Sequence, residues 1–415
     1  MPLSAPEADL ELEFHMPEAV IVDAIRTPIG RAVKGSLKTV RADDLAAIPI
    51  RALVERNPEV NFSETVDVMM GAASSIGEQG YNVGRNALLI AGIDHHVPGC
   101  TVNRFCASSL QTIRMAFHAI RSGEGEQYIA SGVEAVSRAG LGAGMMDEAK
   151  HPKLNGSEGS AYDVYIPMGM TAENVADRCH VTREQQDEWA VISQNRAVEA
   201  RESGHFDPEI VPVPVAAHKD VDKEGNEIDV PETVVDRDDG PRPGTTMEVL
   251  SQLKPVFRPD GTVTAGNACP LNDGAAAVLV MSDQKAKQLG LKPKARILGS
   301  TVAAIRPEIM GLGPIPAIQA LLKETGFKID DVDIVEINEA FAAQIVPCKE
   351  ELGISEEKLN PFGGAIALGH PFGMTGARIM TTLLNGLKAV DGTYGIESMC
   401  VAGGMGMAML VERLN

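Results

Sequence analysis

Residues 101–109, Thr-Val-Asn-Arg-Phe-Cys-Ala-Ser-Ser, join an apolar strand to a helix through a cysteine. Just beyond them, Leu110, Ile113, Phe117 and Ile120 recur at three- and four-residue spacing, so they share one helix face. Gly123 supplies the residue that ends such a helix. A strand, a tight turn and an amphipathic helix in that order predict an α/β unit. The same alternation of short apolar strands and amphipathic helices holds along most of the chain, and it resumes from Lys294 to the end.

A second stretch, Glu397 to Gly404 (ESMCVAGG), also sets a cysteine at the end of an apolar run before small residues. Val66-Asp67-Val68-Met69-Met70 likewise resembles Val332-Asp333-Ile334-Val335-Glu336. These echoes predict an internal duplication, with residues 137–265 inserted between the halves. Within the insertion, residues 141–160 read as a small-residue loop and 184–203 as a helix. Residues 216–244, dense in charge, Pro and Gly, read as a solvated loop or an edge hairpin. The first strand is expected at Ala19 to Val22. Residues 1–16 are acidic, lack the pattern of a signal peptide and read as a disordered leader. The final Glu-Arg-Leu-Asn is not a peroxisomal address.

With 415 residues, the chain is long enough for several buried cores. Its 37 Lys and Arg against 57 Asp and Glu give a net charge of −20, which argues against nucleic acid as a partner. A few local cations can still hold an anionic small ligand. No apolar run approaches the roughly 18 residues of a membrane helix. Cys100, Cys106, Cys179, Cys269, Cys348 and Cys400 form neither a C-x-x-C pair nor a zinc-type spacing, so no metal is expected. Scattered cysteines in a chain of this length point to a reduced, cytoplasmic setting.

Several residues can carry chemistry, and each has a plainer alternative. Cys106 stands before a helix, where free N–H groups favour a thiolate and can hold an oxyanion; a cysteine buried at a turn is the alternative. His370 lies in Gly363-Gly364-Ala365-Ile366-Ala367-Leu368-Gly369-His370-Pro371. Glycines let substrate approach an imidazole acting as general base; an inert Gly-rich turn is the alternative. Cys400 fits a proton donor and acceptor at carbon, or a small core residue. Asn338-Glu339-Ala340-Phe341 follows an apolar strand, where α/β folds place sites, and a helix N-cap at Asn338 reads equally well. Residues 264–277 form a small-residue loop able to meet a ligand, or a tight connection. Arg242 can hold a phosphate or simply be solvated.

Four blocks occur in one order: NRFCASS, NEAF, GGAIALGHPFG and SMCVAGGMG. Together they resemble the thiolase family, over residues 17–415, beginning with Ala19 to Arg31 (AVIVDAIRTPIGR). The resemblance implies an α/β, duplicated five-layer α-β-α-β-α fold with an inserted loop domain. Its parts would be an N-terminal half of residues 17–136 plus 266–290, a loop domain of 137–265 covering coenzyme A, and a C-terminal half of 291–415. It implies that Cys106 carries the acyl group and that His370 deprotonates Cys106 and later the coenzyme A thiol. Cys400 would exchange the proton on the acetyl methyl carbon. Asn338 would position a water that polarises the thioester carbonyl with His370. The backbone N–H groups of Cys106 and Ala402 would hold an oxyanion. Arg242, Met168, Ala268, Cys269 and Phe341 would touch substrate or coenzyme A. Coenzyme A is then a substrate, with no bound cofactor or metal, and the protein a homodimer or homotetramer.

The implied reaction is thiolytic cleavage of a 3-ketoacyl-CoA to acetyl-CoA and a shortened acyl-CoA. The alternative is acetoacetyl-CoA-specific condensation of two acetyl-CoA. Pro167, where short-chain enzymes often carry His, and Ala172-Glu173-Asn174-Val175-Ala176 resemble the broad-range degradative members. Two departures stand out. Ala402 replaces a common Gly, so its Cβ narrows the pocket and limits φ. Cys269 replaces a serine at the pantetheine, and Pro270 removes an N–H. A ketosynthase-type enzyme would lack Cys400, and a non-catalytic relative would lack one of Cys106, His370 and Cys400.

Overall fold

The computed structural model describes residues 16–139, 149–222 and 225–415. The leader is therefore outside the described residues up to position 15, and so is most of the first half of the 141–160 loop.

The N-terminal half is a five-stranded sheet. Its strands are β1 (Ala19–Arg26), β2 (Asp67–Gly71), β3 (Gly99–Val102), β4 (Gln127–Ala135) and β5 (Asn272–Ser282). The first strand thus runs four residues beyond the expected end, because Asp23, the polar residue that follows Val22, is satisfied by Arg56 and Lys294. Across the sheet the order is β1-β5-β4-β2-β3; β5 is antiparallel to β1 and to β4, and β4, β2 and β3 are parallel. The C-terminal half repeats this plan with β6 (Ala295–Ala304), β7 (Ile334–Ile337), β8 (Tyr394–Val401) and β9 (Met405–Arg413). Its order is β6-β9-β8-β7, again two antiparallel pairs and then a parallel one. A parallel bridge from Val335 to Leu359 stands where β3 stands in the first half. The sheets touch at one corner, where Val20 and Ile21 pair with Arg296 and Ala295.

Three apolar clusters show the layering. The middle one lies between the sheets and holds two helices, α3 (Ser108–Ser122) and α8 (Thr375–Ala389). Leu110, Ile113 and Phe117 of α3 meet Ala377, Met380 and Leu383 of α8 there. Helix α8 buries nearly every side chain, as a helix between two sheets must. A second cluster packs α1 (Ala42–Arg56) and α2 (Val83–Ile90) on the outer face of the first sheet. The third packs α6 (Pro314–Thr325) and α7 (Ala342–Leu352) on the outer face of the second. The result is the expected α-β-α-β-α stack.

The insertion includes α4 (Met168–Cys179) and α5 (Arg183–Glu202), the latter started by a Thr182–Gln185 capping box. Its buried apolar residues join the clusters of the halves: Ala197 and Phe206 the middle, Val213 and Val215 the second, Trp189 and Leu250 the third. Fully buried Arg26, at the end of β1, binds Glu209 at 2.6 Å and Asp238 at 2.8 Å, which pins the insertion to the first sheet. Residues 218–221 and 227–230 form the edge hairpin.

One sequence echo is corrected. The strands at 67–71 and 334–337 do occupy matching places, as expected. The two cysteine stretches do not. Cys106 lies in a 3₁₀ turn, residues 105–107, between β3 and α3. Cys400 lies inside β8, which turns back into antiparallel β9 rather than into a helix. By topology the counterpart of Cys106 is His370, since each stands just before a central helix. Cys400, penultimate in β8, corresponds to Glu134, penultimate in β4.

Candidate active site

The turn that carries Cys106 is held by short polar contacts. Asn103 Oδ1 accepts from Phe105 N–H at 2.8 Å, and Ser108 Oγ accepts from Arg104 N–H at 2.9 Å. Phe105 is forced to φ +46°, a left-handed conformation costing a bulky residue about 1–2 kcal/mol. That strain sits directly before the nucleophile candidate, and no sequence signal marked it. Cys106 is buried, which pushes its thiol up to about 11; the N–H groups of Ala402 and of Cys106 itself point at the sulfur and oppose that rise. The two expected oxyanion donors thus converge on one atom.

Ala402 reaches this place because Gly403 and Gly404 take φ of +80° and +83° in the turn between β8 and β9. The left-handed positions are those glycines, so the Cβ of Ala402 brings no backbone strain of that kind. Cys400 is fully buried two residues earlier in β8, within electrostatic reach of Cys106, Cys348 and Cys269, and burial holds its thiol well above the usual range. Cys269 also lies within reach of Cys106 and is likewise pushed up by burial.

His370 enters from the start of α8. Its backbone N–H donates to Asn272 Oδ1 at 3.0 Å, and its Nδ1 lies 2.6 Å from Thr375 Oγ1. Asn338 Nδ2 lies 3.3 Å from Nε2, while buried Asn338 Oδ1 has no partner. Burial, with Arg378 behind it, lowers the imidazole to about 3, so the resting ring is neutral. Ser109 Oγ accepts from Ala377 N–H at 2.9 Å and locks the starts of α3 and α8 together.

Asn338 directly follows β7 and does not cap a helix; α7 begins at Ala342 with Phe341 at its N-cap. Glu339 turns the other way. It accepts from Trp189, Ser193, Asn360 and Ile366, and so holds the Gly-rich loop before His370.

The expected substrate contacts fall into two groups. Ala268 bridges Phe341, the Cys269 N–H donates to Ala340 O, and Met168 and Ala268 pack on the cluster that holds Phe341. Phe257, not singled out in the sequence, joins them edge-on to Phe341 at 6.1 Å and lies against Gly169. Arg242 stands apart from these. Its side chain is exposed and has no carboxylate partner among the described residues, and Arg31 adds a second cation nearby. The preceding loop lies on the Gly-rich segment, since a Cβ at Gly240 would meet Ala367 O at 2.0 Å.

This arrangement of a buried thiol, a neutral imidazole, a second thiol and convergent N–H donors defines an acyl-transfer site on a duplicated α/β fold. Residues 19–284 match the thiolase N-terminal domain model and residues 291–413 the thiolase C-terminal domain model. The chain belongs to the thiolase family and is an acyltransferase. It is 47% identical to the beta-ketoadipyl-CoA thiolase of Pseudomonas aeruginosa, covering 96% of this chain and 99% of that one. It is 46% identical to the 3-ketoacyl-CoA thiolase of Idiomarina loihiensis, covering 96% and 100%. Among solved structures, the acetyl-CoA acetyltransferase of Bacillus anthracis superposes with a TM-score of 0.85 at 40% identity, covering 96% of this chain and 99% of that one.

Proposed function

We propose that the protein cleaves 3-ketoacyl-CoA with coenzyme A, through an acyl-enzyme on Cys106. The reading is carried by one arrangement: the backbone N–H groups of Ala402 and Cys106 favour the Cys106 thiolate against its burial, with Cys400 within electrostatic reach. His370 Nε2 takes the thiol proton as Cys106 attacks the keto carbon. The carbon–carbon bond breaks, acetyl-CoA leaves as its enolate, and Cys400 gives its proton to the methyl carbon; the proton held by His370 then passes to the Cys400 thiolate, which restores the thiol and the neutral imidazole. Coenzyme A then loses its thiol proton to His370 and attacks the acyl carbonyl; the bond to Cys106 breaks, the shortened acyl-CoA departs, and His370 returns the proton to the Cys106 thiolate. Asn338 positions the water that polarises the thioester carbonyl. Each oxyanion donor in such a site contributes about 10²–10³ in rate.

Met168, Ala268, Cys269 and Phe341 form the wall for the pantetheine and acyl chain, and Arg242 holds a coenzyme A phosphate. Residues 137–265 cover coenzyme A between the halves 17–136 plus 266–290 and 291–415. We place the enzyme in the cytoplasm, in the breakdown of fatty or ring-derived 3-keto acids, in keeping with both kinds of named relative. No helix of the described residues is long and apolar enough to cross a membrane. It works as a homodimer or homotetramer. Supporting this, the outer edge of β3 carries no strand among the described residues, and Tyr81 and Phe105 stand exposed nearby.

The test is coenzyme A-dependent cleavage of 3-ketoacyl-CoA from four carbons upward, with 3-ketoadipyl-CoA included. Cleavage extending beyond four carbons, lost at least about 10³-fold in Cys106→Ser, is the expected result. Cleavage of acetoacetyl-CoA alone would replace this reading with the short-chain acetyltransferase.

A further inference from the structure

A histidine can act as a base at Nε2 only when its other nitrogen, Nδ1, holds the ring proton. The structure contains a hydrogen-bond chain that decides this. His370 Nδ1 lies 2.6 Å from Thr375 Oγ1, and Thr375 Oγ1 lies 2.8 Å from the carbonyl oxygen of Pro371. All three groups are buried, so solvent supplies none of their partners. A threonine hydroxyl owns one proton, and a carbonyl only accepts. The hydroxyl proton therefore points at Pro371 O. The contact to Nδ1 is then a hydrogen bond only if Nδ1–H donates to Oγ1. With Nδ1 protonated, the neutral ring presents a lone pair at Nε2, the side where Asn338 Nδ2 approaches.

We propose that Thr375 is a positioning residue that fixes the tautomer of His370, passing the Nδ1–H bond on to the Pro371 carbonyl. The inference rests on the reading of His370 as the base for Cys106. When Cys106 gives up its proton, that proton arrives at Nε2 and the ring becomes imidazolium. The Nδ1 proton stays where it was, and Thr375 never gains or loses one. Thr375 is also the first residue of α8, so the helix that brings His370 to the site carries the group that sets its proton. A Pro371 carbonyl four residues back is reachable by serine as well as threonine, but not by an isosteric valine.

Two measurements on the intact enzyme test this. The first is the ¹⁵N spectrum of the histidine ring in wild-type protein, assigned against His370→Asn. A protonated Nδ1 with a bare Nε2 is expected; a protonated Nε2 with a bare Nδ1 overturns the proposal, and the reading needs no variant of Thr375. The second compares Thr375→Val with Thr375→Ser in thiolysis. Thr375→Val is expected to lower kcat about 10²-fold or more with KM for coenzyme A within about twofold, as loss of tautomer control does elsewhere. Thr375→Ser is expected to restore kcat to within about threefold of wild type. Equal losses in both variants, or none in Thr375→Val, overturn the proposal. Should wild-type protein cleave no 3-ketoacyl-CoA, the functional reading fails while the ring spectrum still decides the tautomer.

Discussion

The two halves share a strand order and differ in what they do with buried acid groups. In the first half, Glu134 stands next to the end of β4 and collects four donors: the N–H groups of Ala73, Ser74 and Gly373, and Gln79 Nε2, at 2.9–3.1 Å. In the second half, that place in β8 holds Cys400. Two other carboxyls, Glu336 of β7 and Glu397 of β8, lie side by side in register beneath the site. No donor reaches either oxygen of Glu397 or Oε1 of Glu336, and Nε and Nη1 of facing Arg378 are unpaired too. One repeated frame thus carries a satisfied carboxyl as a structural tie and, opposite, the thiol we propose for proton transfer at carbon, with an unsatisfied acid pair behind it.

The sharpest way to test that division is to separate the two thiols. Cys400→Ala should lower cleavage about 10³-fold, within the usual 10²–10⁴ contribution of a general acid or base. It should leave the first half's task intact, so acetyl-CoA still acylates Cys106, seen as a labelled enzyme by mass spectrometry. Cys106→Ser should remove that label. If Cys400→Ala cannot be acylated, the halves do not divide the labour in this way.

Glu134 should matter through the fold. One of its donors, Gly373 N–H, belongs to the turn that follows His370, so the carboxyl ties the first sheet to the base-bearing segment. Glu134→Gln keeps the size but turns an amide NH₂ toward groups that only donate. A loss of about 2–3 kcal/mol is expected from urea unfolding. A midpoint equal to wild type would show that the four contacts add nothing.

Much of this frame was legible in the sequence because periodicity reports packing directly. The α3 pattern of Leu110, Ile113, Phe117 and Ile120 gave the helix, and Gly123 ends it as predicted, in the left-handed conformation. The predicted helix over 184–203 spans Arg183–Glu202. The similarity of 66–70 to 332–336 marked two matching strands. The cysteine echo misled, because a strand ending in small residues looks the same whether a helix or a reversed strand follows. The site blocks named Cys106, His370, Asn338 and Cys400, but no local pattern shows that Glu339 faces away while Asn338 faces in. The Glu134 tie across halves and the Phe257 contact depend on residues brought together from distant parts of the chain, the left-handed Phe105 on one backbone angle, and the Thr375 relay on how neighbouring side chains turn at the start of α8. None leaves a periodic trace.

Near pH 5 the smallest effect should come from the acid pair, and its sign at higher pH is the informative part. Burial raises Glu336 to about 8, and it raises Glu397 well above the usual range, with Arg378 opposing in both cases. Both carboxyls then hold protons in the folded state at a pH where the unfolded chain has lost them. The native state binds the extra protons, so this stabilising contribution is complete below about pH 4.5 and fades as pH rises to about 8. Glutamine mimics a protonated glutamate in shape and charge. The double variant Glu336→Gln, Glu397→Gln should therefore match wild type within about 1 kcal/mol near pH 5, and gain on it toward pH 8 by up to about 1.4 kcal/mol per unit for each proton involved. Unfolding curves of both proteins across that range measure the difference. A variant that loses stability against wild type as pH rises would mean that the pair is ionised and bound to Arg378, and the contrast with Glu134 would then collapse into two versions of the same charged tie.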